Sequence, residues 1–413
     1  MSGPVVIVGG GPAGLTAARE LGRRGVRDVV VLERELEAGG IPRHAGHQGF
    51  GLRDLRRPLS GPAYAKALRR FARDAGAELL TETMVTGWSP DGPLELTSPA
   101  GRSTLDPEAV ILAGGCRERP RSARLVPGSR PSGVMTTATL QQLVYLKGAR
   151  LGGRALIVGA EHVSFSAIMT LAHGGARAVG MTTELPRHQS LAAFRAGAAF
   201  RYRTPLWTRT AVSAILGRRR VETVELTDLD DGSTRAVACE TVVFTADWIP
   251  DNELALMGGL AMDPGTRGPA VDAALRTSRP GVFGAGNVLH GAETADVAAL
   301  SGWHAAQSVV HFLGRGEWPA APVRVECRAP LEWVSPNTIA PGAGEPPRGR
   351  FAVRAREFLT RPRIEIAQDA RTLWSGHLLR LVPGRSGRLP HDWTAAVDSE
   401  GGPVSVFVRS ARG

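Results

Sequence analysis

The sequence predicts an α/β fold class in which two three-layer domains, the second inserted in the first, precede a small β-rich domain at the C-terminal end. Three observations predict it. An apolar run, a glycine turn and an Ala/Leu-rich helix open the chain, the same order returns near residue 155, and short alternating runs follow residue 321. The 413 residues exceed the roughly 250 to 300 at which one hydrophobic core stops growing, so several domains are expected.

The first unit is a strand, a glycine turn, a helix and a second strand, "VVVLERE". Its glycines, Gly9, Gly11 and Gly14, have GxGxxG spacing. The first makes the tight turn, the second lets a pyrophosphate approach the backbone, and the third allows close packing of helix on strand. The helix N-terminus offers free N–H groups to phosphates, and Glu33 ends the second strand where a ribose would need an acceptor. The unit predicts a Rossmann-like dinucleotide-binding domain.

The second unit begins with the strand 155–158 and Gly159, but its fingerprint is damaged. Glu161 stands where the second glycine belongs and Ser164 at the third small position, so a pyrophosphate would meet an anionic side chain. Arg187 is a candidate partner for a 2′-phosphate. Two interpretations stay open: a retained fold with a weak or absent nucleotide site, or a degenerate NAD(P) site.

Two further segments complete the pattern. The strand 109–112 ends in Ala113-Gly114-Gly115, and a later strand ends in "GAGN" before a long Ala-rich helix. Between them, "CETVVFTADWIPDNELALMGG" joins a strand end to a Pro-Asp-Asn turn.

In this order the motifs resemble those of the two-dinucleotide-binding-domain flavoproteins, the pyridine nucleotide-disulfide oxidoreductase superfamily, over residues 4 to about 314. The wording "GGIPRHAGHQGFGLRDLRR", "GAEHVSFSAIMTL" and "GNVLHGAETAD" resembles one branch, which includes the FAD-binding subunits of hydrogen cyanide synthase, opine and hydroxyproline dehydrogenases and the alpha subunit of heteromeric sarcosine oxidase. We therefore expect an FAD-binding domain at 1–117 and 266–320, an NAD(P)-binding-like domain at 118–265 and the β-rich domain at 321–413.

The resemblance also implies which residues contact FAD. The pyrophosphate would lie on the first glycine turn, the adenine on the Val85 backbone, and the flavin pyrimidine ring against the helix that begins at Thr294, although Thr294 is equally suited to plain N-terminal capping. Asn287 replaces the usual aspartate and loses its charge. The residues expected to bind FAD are Gly9, Gly11, Ala13, Gly14, Glu33, Arg34, Gly40, Ile41, Val85, Ala113, Gly114, Gly115, Gly286, Asn287, Thr294 and Ala295.

Disulfide reductases of this superfamily carry a redox dithiol after the Gly-Gly that follows the second strand, or a CxxC in the second domain. No cysteine follows Gly39-Gly40 here, and Cys116, Cys239 and Cys327 are far apart in the sequence. We therefore expect no dithiol chemistry from this chain.

The loop after Gly39-Gly40 instead carries His44 and His47, the candidate catalytic residues. Three roles stay open: acid/base groups beside the flavin, structural residues of the loop, or metal ligands, for which a third partner at useful spacing is lacking. No metal site is predicted.

The net charge of +11 comes almost entirely from scattered arginines, which indicates a compositional bias and not a nucleic-acid partner. No charged leader and no apolar run of 18 residues is found, so we expect a cytoplasmic protein without a transmembrane segment. With too few cysteines for an iron–sulfur cluster, any cluster would be on another subunit.

The favoured prediction is an FAD-dependent oxidoreductase subunit that helps to oxidise a small amine or amino acid and passes electrons to a second flavoprotein or a small iron–sulfur subunit. The alternatives are a self-contained NAD(P)H-dependent flavoprotein reductase and a non-catalytic FAD-binding scaffold.

Overall fold

The computed structural model describes residues 3–90, 92–319 and 322–409. Up to residue 118 the elements are β1 (Val5–Val8), α1 (Pro12–Arg23), β2 (Val29–Leu32), β3 (Gln48–Phe50), β4 (Leu59–Ser60), α2 (Gly61–Asp74), β5 (Glu78–Leu80), β6 (Met84–Trp88), β7 (Leu94–Ser98), β8 (Gly101–Leu105), β9 (Ala109–Leu112) and β10 (Cys116–Glu118). The middle of the chain forms β11 (Val134–Thr136), α3 (Thr137–Gln141), β12 (Arg154–Val158), α4 (His162–His173), β13 (Arg177–Thr182), α5 (Ala192–Arg201), β14 (Leu206–Trp207), β15 (Thr210–Leu216), β16 (Thr223–Asp228), β17 (Thr234–Ala238), β18 (Thr241–Phe244), β19 (Trp248–Pro250) and α6 (Glu253–Met257).

The remaining elements are β20 (Val282–Gly284), α7 (Ala295–Arg315), β21 (Val323–Cys327), β22 (Leu331–Ser335), β23 (Thr338–Ile339), β24 (Phe351–Ala355), β25 (Leu359–Thr360), β26 (Arg363–Gln368), β27 (Arg371–His377), β28 (Arg380–Leu381), β29 (Gly387–Leu389) and β30 (Val404–Val408).

The first sheet is parallel, with the strand order β20-β9-β1-β2-β5. Its central strands are apolar along their length and buried, as expected of parallel strands covered by helices on both faces. The strand β20 reaches this sheet only after the chain has built the second one. Two distant stretches of sequence therefore share one core.

The second sheet is also parallel, in the order β11-β18-β12-β13-β14. Its strands lie between β10 and β20 in the sequence. An antiparallel ribbon of β10 and β19 joins it to the first sheet. Two parallel Rossmann-like sheets with further β-rich sheets are thus present, and the predicted fold class is confirmed.

The C-terminal stretch is β-rich, as predicted, and its strands pair in both directions. The strands β21 and β30 pair in parallel, while the other pairs described there are antiparallel. A parallel pair requires a long connection between its two strands. The residues between β21 and β30 supply that connection. Trp393 is buried in the core of this domain, Trp374 is half-buried at the margin of that core, and Trp333 is buried outside it.

The helices α1 and α7 pack at very short range through small residues. A Cβ built on Gly302 would lie 1.9 Å from the Ala13 carbonyl oxygen, and one on Gly286 would lie 2.8 Å from Ala13 Cβ. The first turn of α1 is therefore pressed against α7 at Gly302 and against the turn at Gly286 that precedes α7. Among the described residues, no helix is both long and apolar enough to cross a membrane.

We expect Gly302→Ala to lower the free energy of unfolding by about 1–3 kcal/mol, because the new methyl group overlaps a backbone atom that cannot move away. Gly314→Ala is the matched control on the same helix, since nothing lies within 4 Å of its Cβ position. That change should raise stability by about 0.5–1 kcal/mol through helix propensity alone. Urea denaturation measures the free energy of unfolding of both variants. Equal changes in that free energy would contradict the close packing at Gly302.

Candidate functional site

The first glycine turn leaves open space where it was expected to meet a ligand. A Cβ on Gly9, whose φ is 111°, would lie 2.5 Å from the Ala113 carbonyl oxygen, and one on Gly14 would lie 2.0 Å from the Gly9 carbonyl oxygen. Packing therefore requires these two glycines. Gly11 differs, because no atom of the residues that the structure describes lies within 4 Å of its Cβ position, its chain neighbours apart.

The N-terminus of α1 keeps its backbone N–H groups free of side-chain caps. Its N-cap is Gly11, Pro12 stands in the first turn, and the first turn contains no acidic residue. The positive end of the helix dipole is therefore not neutralised locally. Such an end favours an anionic group.

Glu33 ties the end of β2 to the glycine turn. Its Oε2 accepts the Gly10 N–H at 3.1 Å and its Oε1 accepts the Glu35 N–H at 2.8 Å. Burial raises the pKa of this carboxyl. Each carboxylate oxygen retains a lone pair that can accept a ribose hydroxyl.

Arg34, which was expected near the same ribose, forms an ion pair with Asp251 at 3.4 Å. Asp251 also accepts from Arg117 at 3.1 Å and donates its backbone N–H to the Gly115 carbonyl oxygen at 2.9 Å. The Pro-Asp-Asn turn therefore lies beside Gly114 and Gly115. The Arg34 guanidinium is therefore engaged, at least in part, in the ion pair with Asp251.

The segment that begins at Gly39 lies directly on the first glycine turn. The Gly39 N–H donates to the Gly10 carbonyl oxygen at 2.6 Å, and a Cβ on Gly40 would lie 3.0 Å from Gly11 Cα. Gly40 has a φ of 58°, and Ile41 is exposed. The structure thus brings Gly40 and Ile41 to Gly11. Val85 lies in β6 of the small antiparallel sheet β6-β7-β8, two residues after Thr83, whose N–H donates to the Glu33 carbonyl oxygen at 2.9 Å.

Asn287 has a structural task that explains the missing aspartate. Its Nδ2 donates to the Glu293 carbonyl oxygen at 3.2 Å, and its Oδ1 accepts the Glu293 N–H at 2.9 Å. This bridge needs one donor and one acceptor, which an amide provides and an ionised carboxylate does not. The bridge closes the loop that leads into α7.

The start of α7 carries a charged pair that the sequence reasoning missed. Thr294 is the N-cap, and its hydroxyl donates to the buried Asp296, which also pairs with Arg53 Nη1 at 2.9 Å. The backbone N–H of Arg53 donates to the same carboxylate at 3.2 Å. The runs "GLRDLRR" and "GAETAD" contain both partners, but nothing local in either run indicates that they meet.

The two histidines occupy different surroundings. His44 is buried beside Gln141 of α3, and its Nδ1 has no partner among the described residues. Burial lowers the pKa of this imidazole, which favours its neutral form. His47 is half-buried, places its Nδ1 2.9 Å from the Gln48 carbonyl oxygen and stacks on Phe50 with ring centroids 5.1 Å apart. In the described part of the chain, no group of three or more His, Cys, Asp or Glu residues is arranged to hold a metal ion.

At the second glycine turn, the Glu161 carboxylate lies where a pyrophosphate would lie. Its Oε2 accepts from Ser164 Oγ at 2.9 Å and from Thr245 Oγ1 at 3.1 Å. A Cβ on Gly159 would lie 2.7 Å from Glu161 Oε2 and 1.9 Å from Thr245 Oγ1. The N-cap of α4 is Glu161 itself, so this helix N-terminus already has an anionic partner from the chain.

The C-terminal domain covers the same turn. A Cβ on Gly384 would lie 3.8 Å from Glu161 Cγ and 3.5 Å from Gln189 Nε2. On the adjacent loop, the guanidinium of Arg187, the candidate 2′-phosphate partner, stacks over Phe358 at 4.3 Å from the ring centroid.

The two turns therefore differ as ligand sites. The first has an open approach, an uncapped helix and a buried acid, and its residues fit the FAD pyrophosphate and ribose. Gly9, Gly11, Gly14 and Glu33 would hold that part of the cofactor. The second turn, filled by Glu161, does not fit a dinucleotide pyrophosphate.

A family model described as pyridine nucleotide-disulphide oxidoreductase matches residues 3–302. A thioredoxin reductase of Treponema pallidum (strain Nichols) is 27% identical over 296 residues, which are 69% of this chain and 88% of that protein. One opine oxidase subunit of Rhizobium meliloti is 26% identical over 331 residues, which are 71% of this chain and 60% of that protein. The crystal structure of T. acidophilum thioredoxin reductase, 22% identical, matches the fold with a TM-score of 0.63 over 75% of this chain and 98% of that one.

We expect Gly11→Val to abolish FAD retention without unfolding the protein, because the new side chain enters open space on the approach of the pyrophosphate. Absorbance of the desalted protein measures the ratio of FAD to chain, and circular dichroism measures the fold. Gly197→Val is the matched control, since its Cβ position is also open but lies in α5, far along the chain from the turn. Full FAD occupancy in the Gly11 variant would show that the pyrophosphate lies elsewhere.

Proposed function

Because the chain belongs to the pyridine nucleotide-disulphide oxidoreductase family, which implies FAD, we propose that it is the FAD-binding subunit of a heteromeric dehydrogenase for an amino acid or secondary amine. In this role it takes part in oxidising the substrate and passes electrons to a partner. Its similarity to the opine oxidase subunit from Rhizobium meliloti and the sequence resemblance to the hydrogen cyanide synthase and sarcosine oxidase branch support this assignment. The single observation that carries it is Glu161 on the second glycine turn, which disfavours NAD(P)H as the source of electrons.

The cysteines support the same conclusion. All three are free thiols, and burial raises the pKa of Cys116 to about 12 and that of Cys239 to about 11. Burial also raises the pKa of Cys327. Because the thiolate is the reactive form, these side chains are poorly suited to the disulfide exchange that the names of the thioredoxin reductases imply.

When bound, FAD would supply the acceptor for two electrons from the substrate C–H bond. The first glycine turn and Glu33 would hold it, and the Asn287 bridge would fix the loop beside it. We assign the accompanying proton to the loop histidines. His44 suits this role because burial favours its neutral form and its Nδ1 has no hydrogen-bond partner among the described residues, while His47 lies three residues further along the same loop.

A specific observation favours the alternative of an NAD(P)H-dependent reductase. Beside the second turn, four buried polar atoms have no hydrogen-bond partner among the described residues: His188 Nδ1, Gln189 Oε1, Ser190 Oγ and Arg195 Nη1. A polar ligand bound beside the second glycine turn would provide hydrogen-bond partners for these atoms. The third possibility, a non-catalytic FAD scaffold, requires that neither histidine faces the flavin.

The proposal predicts that anaerobic NADH or NADPH leaves the visible absorption of the bound FAD unchanged, whereas substrate amine together with the partner subunit bleaches it. Rapid bleaching by either nucleotide alone would overturn the proposal in favour of the reductase. Loss of amine-dependent dye reduction when the partner is omitted would separate the dehydrogenase subunit from a reductase. Unchanged activity in a variant with both His44 and His47 replaced by Asn would favour the scaffold.

We expect Glu161→Gly to strengthen NADH binding by about 10-fold or more, since removing an anion from the phosphate position removes like-charge repulsion and frees the helix N-terminus. Quenching of nucleotide fluorescence gives the dissociation constant. Glu225→Gly, on an exposed position of β16, is the control for the change in net charge. Equal NADH affinities in the unmodified protein and in both variants would mean that Glu161 does not weaken nucleotide binding at the second glycine turn.

A further inference from the structure

A second group of cationic residues lies outside the glycine turns, on one face of the three-stranded sheet β22-β24-β29. Side chains alternate between the faces of a strand. In β24 the residues Phe351 and Val353 are buried in the domain core, so Ala352 and Arg354 face the other side. Arg388 pairs directly across from Ala352 and faces the same side. We call this the arginine face, and its members are Arg350, Ala352, Arg354, Ser386 and Arg388.

Arg354 is a buried cation that forms no ion pair within the described residues. Burial lowers its pKa, and the carboxylates of Glu293 and Glu332 raise it. Its guanidinium lies 4.7 Å from the Trp333 ring centroid, and its Nη2 donates to Ser386 Oγ at 3.3 Å and to the Ala292 carbonyl oxygen at 3.2 Å. Its Nε has no hydrogen-bond partner, and its relative exposure is 5%. Burying a cation that is not directly paired with a carboxylate is unfavourable.

The other arginines at this face are also without ion pairs in the part of the chain that the structure describes. Arg350 Nε donates to the Arg348 carbonyl oxygen at 3.2 Å. Burial, followed by the charges of Arg350 and Arg388, lowers the pKa of Arg348, whereas Glu293 raises it. Glu293 Oε1 is itself buried without a partner. The arrangement holds more positive than negative charge around the small side chain of Ala352.

The arginine face is pressed against the loop that leads into α7. The rings of His290 and Trp333 stack with centroids 4.7 Å apart, and Arg354 donates to Ala292 in the same loop. The loop ends at the N-terminus of α7, where the family resemblance expects the flavin pyrimidine ring. A ligand on the arginine face would therefore lie beside the flavin.

We propose that the arginine face binds the carboxylate of a small amino or imino acid, so that the C-terminal domain supplies the subsite that orients the substrate beside the flavin. Two or more guanidinium groups around a small residue provide the planar donors that a carboxylate accepts in pairs. This assignment rests on the proposed function and names its substrate class. Arg354 and Arg388 act as binding residues, and Trp333 positions Arg354.

The test uses the FAD-loaded full chain without turnover. N-Acetylglycine and its neutral counterpart N-acetylglycinamide are titrated by calorimetry and by perturbation of the visible FAD spectrum. We expect only the carboxylate to bind, and Arg388→Gln to weaken it by about 10- to 100-fold, because a hydrogen bond to a charged group is lost. Arg324→Gln, on the exposed part of β21, is the control and should leave the affinity unchanged.

Ala352→Glu provides a second variant whose fold should persist, since it places a carboxylate of the chain among the arginines. It should abolish binding of N-acetylglycine and raise the midpoint of thermal unfolding. Equal binding of acid and amide, an unchanged affinity in Arg388→Gln, or tighter binding of inorganic phosphate than of the carboxylate would each overturn the inference. The inference would also be overturned if Arg388→Gln weakened association with an acidic partner protein and left binding of N-acetylglycine unchanged. Specific carboxylate binding without amine-dependent reduction would instead leave this inference standing and overturn the proposed function.

Discussion

The contact of α1 with α7 is the constraint on which the candidate flavin site depends. At Gly302 no side-chain atom fits between the helices, because a Cβ would lie 1.9 Å from the Ala13 carbonyl oxygen. This contact anchors a helix from the start of the chain to one that follows the inserted second sheet. It thereby brings the uncapped N-terminus of α1 close to the loop that Asn287 and Glu293 close.

The chain contains two versions of the same strand, turn and helix, and a single position separates their chemistry. Gly11 leaves open space and a free helix N-terminus, whereas Glu161 fills the equivalent position and caps its own helix. The carboxylate there is held by Ser164 and Thr245. Because the internal anion occupies the electrostatically favourable position, the second domain keeps its fold without needing a ligand phosphate. The buried polar atoms beside that turn, which lack hydrogen-bond partners among the described residues, instead favour a bound nucleotide.

The C-terminal domain contacts both dinucleotide-binding-like halves of the molecule. One of its loops lies over Glu161 through Gly384, and one of its sheet faces carries Arg354 and Arg388 to the loop before α7. The domain therefore covers the second glycine turn and places cationic groups beside the loop that leads into α7. This division is consistent with a flavoprotein whose substrate approaches from the C-terminal domain.

Much of the fold was predictable from local pattern. Apolar runs, glycine spacing and helix ends depend on residues close together in the sequence, so they identified both parallel sheets, the first glycine turn and the acid Glu33. Contacts between distant segments could not be obtained in this way. The ion pair of Arg53 with Asp296, the amide bridge of Asn287 and the arginine face depend on side chains that meet only after packing, and the parallel pairing of β21 with β30 was missed for the same reason. Periodicity determines which face of an element is buried, whereas packing determines what that face meets.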